Sequence, residues 1–537
     1  MKLINSKTAI SCAVLVLLVN ALPAVAGKGL AETAKSSVIR TAPPAPAFDA
    51  KVRLAELASR RARVGQAIGD KGILILFSTE PRVYANDVDY EYRQENNLYY
   101  LTNLKQKGAT LVITPGNAAF PAILFMPRRD ARAETWTGHM YSPEEASQIS
   151  GIKEIWEAGE FEPFLRALRN RQPYRPKPEK ILMAANSASS ESSATPSSLG
   201  FDKLFAAALD NNGEIYLLVP GATDSTEYRQ EQRFASEWAK SASGYSIKNA
   251  TPIFAEMRLR KSALELALLQ HAIDITTEAH ERAWVAAADV KWEYEVDAQV
   301  AYTFKLRNAD HWGYPSIVGC GPNATTLHYE ESQGQVTSGE LLLMDVGAEY
   351  EHYSADVTRT FPVNGKFSPA QAEIYQVVYD AQEAAGLASH PGARISDVHR
   401  ASQEVITEGL WKLGLITDKT SDQYRIWFMH GTSHWLGMNV HDVGNYASTL
   451  EPGMVFTNEP GIYIRPDALE NLPKTPENEK FIAAVRPAFE KYKGIGVRIE
   501  DDLLITSGGV KWMTKALPRK MSEIEDFIAR GRRESSR

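Results

Sequence analysis

Five side chains of the types that bind metals are spread between residues 345 and 500, and they constrain the fold of this 537-residue chain more than any other feature. Each lies in or beside a short apolar, strand-like or Gly/Pro-punctuated segment. Two divalent cations held about 3.5–4 Å apart need several anionic oxygens to offset about four positive charges. The chain is therefore predicted to gather these groups around two metals, and the reaction implied is metal-assisted hydrolysis. The five residues are Asp345, Asp356, His434, Glu459 and Glu500.

Asp345 and Asp356 are predicted to lie on the two arms of a β-hairpin formed by residues 341–346 and 353–361. They are eleven residues apart, so a tight turn lets both carboxylates converge on one point. Asp345 also follows four apolar residues, and a buried carboxylate without a cation beside it is costly. The alternative is that each aspartate caps a turn.

Three of the chain's 11 histidines, His430, His434 and His441, fall within twelve residues whose neighbours are mostly apolar or glycine. This clustering favours a site over scattered surface histidines. Glu459 ends a short β-like run before Pro-Gly, and Glu500 is followed by two aspartates. Alone, each glutamate is equally compatible with a solvated turn or strand end, so only the combination is specific.

The N-terminus predicts export. Lys2 and Lys7 precede an apolar run at residues 9–19, and Ala24-Val25-Ala26 matches an A-x-A cleavage pattern. Residues 1–26 are therefore predicted to be a signal peptide that directs the chain to the periplasm or the medium, with an uncleaved anchor as the alternative. No later run approaches the roughly 20 apolar residues that a membrane span needs, so no stable membrane span is expected.

The mature chain is expected to be acidic and without an intramolecular disulfide. Cleavage removes two lysines and no acid, which moves the net charge from −7 to −9 and argues against nucleic acid as a partner. Cleavage also removes Cys12 and leaves Cys320 alone. A thiol nucleophile at Cys320 is the less favoured alternative to a small buried residue.

Composition and periodicity divide the rest of the chain into three parts. Residues 27–48 are rich in Ala, Pro and Ser and are predicted to be a flexible linker. Residues 49–250 alternate helical segments with short apolar runs, as is typical of an α/β domain. Residues 251–537 are predicted to be an α+β domain, with helices that begin at capping boxes at Ser262 and Ser368.

Three shorter segments carry narrower predictions. Residues 187–198 are almost all Ser, Ala, Thr and Glu, and they are predicted to be a mobile surface loop. Residues 466–493 are rich in Pro and charge, and they are predicted to be an insertion over the surface. Residues 497–505 are predicted to form one strand that presents Arg498 and Glu500 on the same face.

Several ordered motifs carry a family resemblance. They are Met344-Asp345-Val346-Gly347, Asp356 to Phe367 (DVTRTFPVNGKF), His430 to Gly437 (HGTSHWLG), His441-Asp442-Val443-Gly444, Glu459 to Ile464 (EPGIYI) and Gly494 to Asp502 (GIGVRIEDD). Together they resemble the pita-bread metallopeptidases and, within them, the aminopeptidase P (Xaa-Pro aminopeptidase) group. Tyr92-Arg93-Gln94 is similar to that group's non-catalytic domain. The resemblance implies an α/β N-terminal domain of the creatinase type followed by an α+β pita-bread catalytic domain.

Position by position, the resemblance implies a ligand set and a substrate pocket. Asp345 and Asp356 chelate one metal, while Asp356, His434, Glu459 and Glu500 bind the other, with Asp356 and Glu500 bridging. In the family, a water activated by the metals attacks the Xaa-Pro carbonyl, and the glutamate that matches Glu459 handles its proton. The remaining matched residues contact the substrate carbonyl (His328, His441), line the prolyl pocket (His430, Arg498) or approach the site from the N-terminal domain (Asp87, Trp136).

The resemblance implies an aminopeptidase that removes an N-terminal residue preceding proline. Its cofactors are expected to be two divalent ions, Mn²⁺ by preference, with Zn²⁺ or Co²⁺ as alternatives. Its partners are expected to be peptides with proline in the second position and further copies of the chain, as a dimer or tetramer.

Two other functions stay open: a prolidase restricted to Xaa-Pro dipeptides, and a non-catalytic exported module that binds peptides in the same cleft. Ser433 before His434 favours the aminopeptidase. The sequence departs from the family pattern at residues 187–198, at Thr432, and at residues 466–493, which are also a candidate lid over the pocket.

Overall fold

The structure is a computed structural model that describes residues 37–185, 200–219, 228–241 and 243–535. The predicted signal peptide, residues 27–36 of the predicted linker and the Ser-rich segment at 187–198 lie outside these ranges. The chain divides into two units, Met1–Ser37 and Val38–Arg537, and every described helix and strand lies in the second.

The helices of the described residues are α1 (Ala50–Ile68), α2 (Asn96–Thr102), α3 (Ala131–Thr137), α4 (Pro143–Ser150), α5 (Phe161–Arg169), α6 (Asp202–Leu209), α7 (Arg229–Trp238), α8 (Thr251–Leu259), α9 (Ala263–Ala286), α10 (Glu293–Leu306), α11 (Pro369–Ala388), α12 (Ile395–Lys412), α13 (Pro476–Tyr492) and α14 (Met521–Ser535). The strands are β1 (Gly72–Phe77), β2 (Val83–Ala85), β3 (Val88–Asp89), β4 (Thr110–Ile113), β5 (Ala122–Met126), β6 (Glu154–Glu157), β7 (Ile181–Met183), β8 (Gly213–Leu217), β9 (Tyr245–Asn249), β10 (His311–Trp312), β11 (Ile317–Cys320), β12 (Leu341–Val346), β13 (Ala348–Tyr350), β14 (Tyr353–Ser354), β15 (Val357–Pro362), β16 (Val455–Asn458), β17 (Gly461–Tyr463), β18 (Gly496–Arg498), β19 (Asp501–Thr506) and β20 (Gly509–Trp512). No helix in the described ranges is both long and apolar enough to span a bilayer.

The first part of the chain forms a mixed seven-stranded sheet in the order β7-β6-β5-β4-β1-β8-β9. Its interior strand β1 (GILILF) is buried on both faces, so its side chains alternate between two apolar clusters on opposite sides of the sheet. Helix α1 is capped by Asp49, whose carboxylate accepts from the backbone N–H of Lys51. This is the α/β architecture that the alternation of helical and apolar segments predicts.

The second part builds four small sheets, in the orders β10-β13-β14, β11-β12-β15, β16-β19-β20 and β17-β18, against helices α9 to α14. One buried apolar cluster joins all six helices to strands of three of these sheets. The predicted capping boxes at Ser262 and Ser368 are both present, and they start α9 and α11. Helices therefore surround a β-rich centre.

The predicted hairpin is confirmed in its pairing, since β12 runs antiparallel to β15 with Asp345 opposite Thr358. The connection is longer than a tight turn because β13 and β14 form a second small pair within it. Glu351 and His352 at its tip both have positive φ, at 45° and 70°. Asp356 comes directly before β15, so it lies beside Asp345 at one end of the ladder.

The prediction of a single strand over residues 497–505 is wrong. The chain forms β18, which pairs with β17, and then β19, which pairs with β16 and β20 in a different sheet. Between them the backbone N–H of Ile499 donates to Pro460 and that of Glu500 donates to Thr358. The change of partner leaves Glu500 at the junction of three sheets, which alternation within one strand does not predict.

Residues 466–493, predicted to be an insertion over the surface, contain the 17-residue helix α13. Its buried side chains, Phe481, Val485, Phe489 and Tyr492, belong to the main core cluster. Their spacing of four, four and three residues is helical, and the high content of Pro and charge obscured it. The segment is therefore part of the packed fold rather than a lid.

Residues 38–42, inside the predicted flexible linker, are held against the second domain. The backbone N–H groups of Val38, Arg40 and Ala42 donate to carboxylates of Glu534, Glu281 and Glu278, at 3.0, 2.5 and 2.7 Å. Alternate residues of an extended segment point their N–H groups the same way, which explains the spacing of two.

Candidate metal centre

The centre lies where the small sheets of the second domain meet. Asp345 comes from β12, Asp356 from the residue before β15, His434 from the loop before β16, Glu459 from the residue after β16, and Glu500 from the break between β18 and β19. Asp356, His434 and Glu500 are all buried, and one ligand atom of each lies within 4.8 Å of the others. Sequence-distant strands thus bring three of the five predicted ligands into one cluster.

Asp345 and Glu459 lie beside this cluster. The Tyr314 hydroxyl is 2.6 Å from Oδ1 of both Asp345 and Asp356, so it joins the two aspartates. The Nε2 atom of His434 is 3.2 Å from Asp356 Oδ2 and 3.4 Å from Glu459 Oε1. All five predicted ligands therefore form one connected group.

The electrostatics of this group indicate a deficit of positive charge. Burial, together with the charges of Asp356, Glu459 and Asp345, raises the pKa of Glu500 well above its usual range. Burial also raises the pKa of Asp356, and it raises that of Glu459 to about 7. Burial alone lowers the pKa of His434, but the hydrogen bond to Asp356 and the charge of Glu459 outweigh it and raise the pKa to about 9. Carboxylates that resist ionisation together are a donor set that divalent cations fit.

A polar chain leads from Asp345 away from the centre. Arg498 Nη2 donates to Asp345 Oδ2 at 2.6 Å, and its Nη1 donates to the Tyr463 hydroxyl at 3.0 Å. The His430 Nδ1 lies 2.8 Å from the Gly431 carbonyl, so this nitrogen carries the proton and Nε2 accepts from the Tyr463 hydroxyl at 2.8 Å. Burial and then Arg498 lower the pKa of His430 to about 4. The His430 imidazole is therefore neutral, and these hydrogen bonds hold it in one tautomer.

His441 and His328 lie on the more open side of the centre. The ring centroids of His441 and His434 are 4.1 Å apart. Burial first, and then the charges of His434 and His328, lower the pKa of His441 to about 4. His441 is therefore a neutral hydrogen-bonding group beside the ligands, and His328 is close enough to influence it.

The two residues predicted to approach from the first domain are both exposed. Asp87 lies between β2 and β3, and Trp136 lies on α3 with 83% of its surface exposed. Among the described residues, neither makes a hydrogen bond, ion pair or ring contact with the five ligand candidates. Their substrate-binding role stays a prediction.

Sequence reasoning missed four polar residues that organise the centre. Tyr314 joins two ligands, and Tyr463 joins His430 to Arg498. The Thr358 hydroxyl donates to Glu500 at 2.6 Å, and buried Asp502 accepts from the Asp356 backbone N–H at 3.3 Å. Tyr463, Thr358 and Asp502 lie within the quoted motifs, so proximity to a ligand was a usable signal. Tyr314 had none, because only the fold brings it to the aspartates.

Comparison with known proteins supplies independent findings. The model of metallopeptidase family M24 matches residues 267–507, and that of the aminopeptidase P N-terminal domain matches residues 57–175. The Xaa-Pro aminopeptidase of Haemophilus influenzae is 35% identical over 90% of this chain and 99% of the relative. The Xaa-Pro aminopeptidase of Escherichia coli is 32% identical over 89% of this chain and 98% of the relative.

Solved structures agree with these sequence matches. Aminopeptidase P from E. coli with the inhibitor Pro-Leu superposes with a TM-score of 0.73 at 30% identity, covering 91% of this chain and all of that chain. Proline aminopeptidase P II from Yersinia pestis gives a TM-score of 0.71 at 30% identity, with 89% and 99% coverage. Both comparisons extend over the two domains described above.

Proposed function

The chain belongs to the Xaa-Pro aminopeptidases of metallopeptidase family M24, and we propose that it is an exported enzyme that uses two divalent metals to release the residue before a proline. The family and the fold class predicted from the sequence, an α/β N-terminal domain before a pita-bread domain, are confirmed. The observation that carries the proposal is the group of four carboxylates and one imidazole, in which Asp345, Asp356, His434 and Glu500 are buried and Glu459 is partly exposed.

The donor set supports two metals rather than one. In the proposed arrangement Asp345 and Asp356 hold the first, while Asp356, His434, Glu459 and Glu500 hold the second. When bound, such metals supply Lewis acidity and lower the pKa of water to near neutrality. Oxygen-rich ligation favours Mn²⁺, with Zn²⁺ or Co²⁺ as alternatives. One solved relative is a zinc-substituted E. coli aminopeptidase P in complex with product, so a related site accepts zinc.

The chain's own groups are arranged for proton transfer. Glu459, whose Oε1 lies 3.4 Å from His434 Nε2 at the edge of the group, is placed to accept a proton and return it. His441, neutral beside His434, is placed to donate a hydrogen bond to an oxygen that gains negative charge. His430 is held by Tyr463 and Arg498 as a fixed wall of the pocket beside these groups.

Substrate length separates this proposal from a prolidase. We expect the enzyme to cleave Xaa-Pro-Xaa peptides and to release only the first residue, whereas a prolidase cleaves only the Xaa-Pro dipeptide. The test is product identification by mass spectrometry on matched Xaa-Pro, Xaa-Pro-Xaa and Xaa-Ala-Xaa substrates. Cleavage confined to the dipeptide contradicts the proposal, and binding of all peptides without cleavage supports the non-catalytic module.

Export rests on the N-terminal sequence alone. Expression of the full chain in a bacterium is expected to give a mature N-terminus at Gly27 outside the cytoplasm, read by N-terminal sequencing of each fraction. A protein that retains Met1 in the cytoplasmic fraction contradicts it.

Self-association is proposed through exposed apolar side chains of the first domain. Four of these side chains lie at the β2–β3 hairpin and one lies on α3, and each is more than half exposed. Sedimentation velocity is expected to show a dimer or tetramer, and Trp136→Ser is expected to weaken it; a monomer at high concentration contradicts the proposal. The residues are Val83, Tyr84, Val88, Tyr90 and Trp136.

A further inference from the structure

Residues 430–442, here called the histidine segment, carry the three histidines of the centre. Its first half is fixed by the sheet, because the Thr457 N–H donates to His434 and the Leu436 N–H donates to Val455. Its second half leaves the sheet and returns, and the Asp442 N–H donates to the Trp435 carbonyl at 2.8 Å. His441 lies on this returning half, so its position depends on what holds residues 438–442.

The first domain holds that half from outside. Arg93, in the motif that the sequence singles out, donates through Nη2 to the Met438 carbonyl at 2.9 Å. Asn96, at the start of α2, donates to the Asn439 side-chain oxygen at 2.9 Å. Its side-chain oxygen also accepts a hydrogen bond from His352 Nδ1 at 3.0 Å. A short helix of the first domain therefore contacts the histidine segment directly.

The buried guanidinium of Arg258 joins the Asn96–Asn439 contact to Asp442, the residue after His441. Arg258, whose side chain is 2% exposed, donates to Asn97 at 3.0 Å, to Asn439 at 2.6 Å and to Asp442 Oδ1 at 2.5 Å. Lys261 lies 3.4 Å from the other oxygen of Asp442. A Cβ at Gly437 would meet this oxygen at 2.2 Å, so the carboxylate is packed onto the backbone of the turn.

We propose that Asn96 and Arg258 are positioning residues for His441, through which the first domain sets the geometry of the catalytic centre without touching substrate. The inference rests on the proposed function and adds a role for the non-catalytic domain. Asp442 directly follows His441, so a shift of the carboxylate is passed to the imidazole through one peptide unit. Misplacement of a reacting group by about 1 Å can cost on the order of 100-fold in rate.

The interface also contains a matched control. Lys105 of the first domain pairs with Asp310 of the second at 2.9 Å, with side chains 38% and 26% exposed. This pair crosses the same interface but does not touch the histidine segment. Lys105→Ala therefore removes an interdomain contact without disturbing Asp442.

The experiment compares Asn96→Ala, Arg258→Lys and Lys105→Ala as metal-loaded, full-length enzymes on an Xaa-Pro-Xaa peptide. Asn96→Ala and Arg258→Lys are expected to lower kcat about 10-fold, with KM changed by less than about threefold and metal content unchanged. Lys105→Ala is expected to retain the wild-type kcat. Thermal stability is measured in parallel. If the three residues only stabilise the interface, Tm falls in all three variants and kcat stays at the wild-type value in each.

A second measurement keeps the inference separate from the proposed function. The His441 imidazole signals in ¹⁵N-histidine NMR spectra, assigned with His441→Gln, are expected to shift in Asn96→Ala but not in Lys105→Ala, whether or not the protein cleaves peptides. Unchanged His441 signals, or an equal fall in kcat for Lys105→Ala, overturn the inference. A wild-type protein with no peptidase activity overturns the proposed function alone.

Discussion

At the scale of single residues, the centre is built from groups that are unfavourable until they are combined. Asp345, Asp356 and Glu500 are each less than one-tenth exposed. Among the described side chains, the basic groups that form ion pairs with them are Arg498, with Asp345, and His434, with Asp356. Burying unpaired carboxylates costs several kcal/mol of folding free energy each. The presence of three buried carboxylates in one place is therefore an argument for bound cations.

The Tyr463 hydroxyl is predicted to matter for rate and little for stability. Tyr463→Phe removes the link between Arg498 and His430, so His430 loses the partner of Nε2. Loss of one oriented hydrogen bond is expected to lower kcat about 10-fold, measured by steady-state kinetics. Tyr492→Phe, which removes a hydroxyl that contacts Glu373 and Lys491 far from the centre, is the control. Equal kinetics of the two variants contradicts the assigned role.

Glu281 gives a pH-dependent prediction away from the metal centre. Burial raises its pKa from 4.5 to about 6, so the folded state binds a proton more readily than the unfolded state and stability falls as pH rises through this range. Glu281→Gln keeps an acceptor for the Arg40 N–H and is expected to be more stable than wild type at pH 8, by about 1–2 kcal/mol. The advantage is expected to disappear near pH 4.

Thermal unfolding at both pH values measures this difference, and Glu278→Gln is the contrasting variant. Glu278 is also buried, but Arg307 and Arg282 outweigh burial and hold its pKa below the usual range. Its substitution is therefore expected to destabilise the protein at pH 8. A Glu281→Gln variant that is less stable than wild type at pH 8 contradicts the prediction.

At the scale of elements, the sequence predicted the helix starts and the strand pairing that depend on residues close together in the chain. The capping boxes at Ser262 and Ser368 start helices where expected, because each satisfies helix N–H groups with neighbours three residues away. The β12–β15 pairing followed from two β-prone segments that are close in sequence and joined by a polar turn. The break at residues 499–500 was not predictable, since it depends on Pro460 and Thr358, which are distant in sequence.

Helix α13 is predicted to contribute to stability rather than to gate the pocket. Phe489 is fully buried and packs near Trp427, with ring centroids 6.1 Å apart. Phe489→Ala is expected to lower the free energy of unfolding by about 3–5 kcal/mol, measured by urea denaturation. Lys480→Ala, exposed on the same helix, is expected to have no effect. A stable Phe489→Ala variant with altered KM for longer peptides indicates a lid instead.

At the scale of the whole molecule, the five ligand candidates could be picked out from the sequence but their surroundings could not. The candidates stand out because their chemistry is unusual in apolar segments. Tyr314 and Arg258 act only through contacts between elements that the sequence separates by tens to hundreds of residues. The contact of Asn96 with Asn439 joins two domains, so no local pattern within either one encodes it.

The most direct test counts metals on the purified mature chain. Chelator-treated protein is equilibrated with Mn²⁺, bound metal is measured by mass spectrometry, and Xaa-Pro-Xaa cleavage is followed as metal returns. Two metals per chain and metal-dependent release of the first residue are predicted for wild type, with less than two metals and no cleavage for Asp356→Asn. Full cleavage without metal, or an Asp356→Asn variant that binds two metals and cleaves like wild type, contradicts the dinuclear centre.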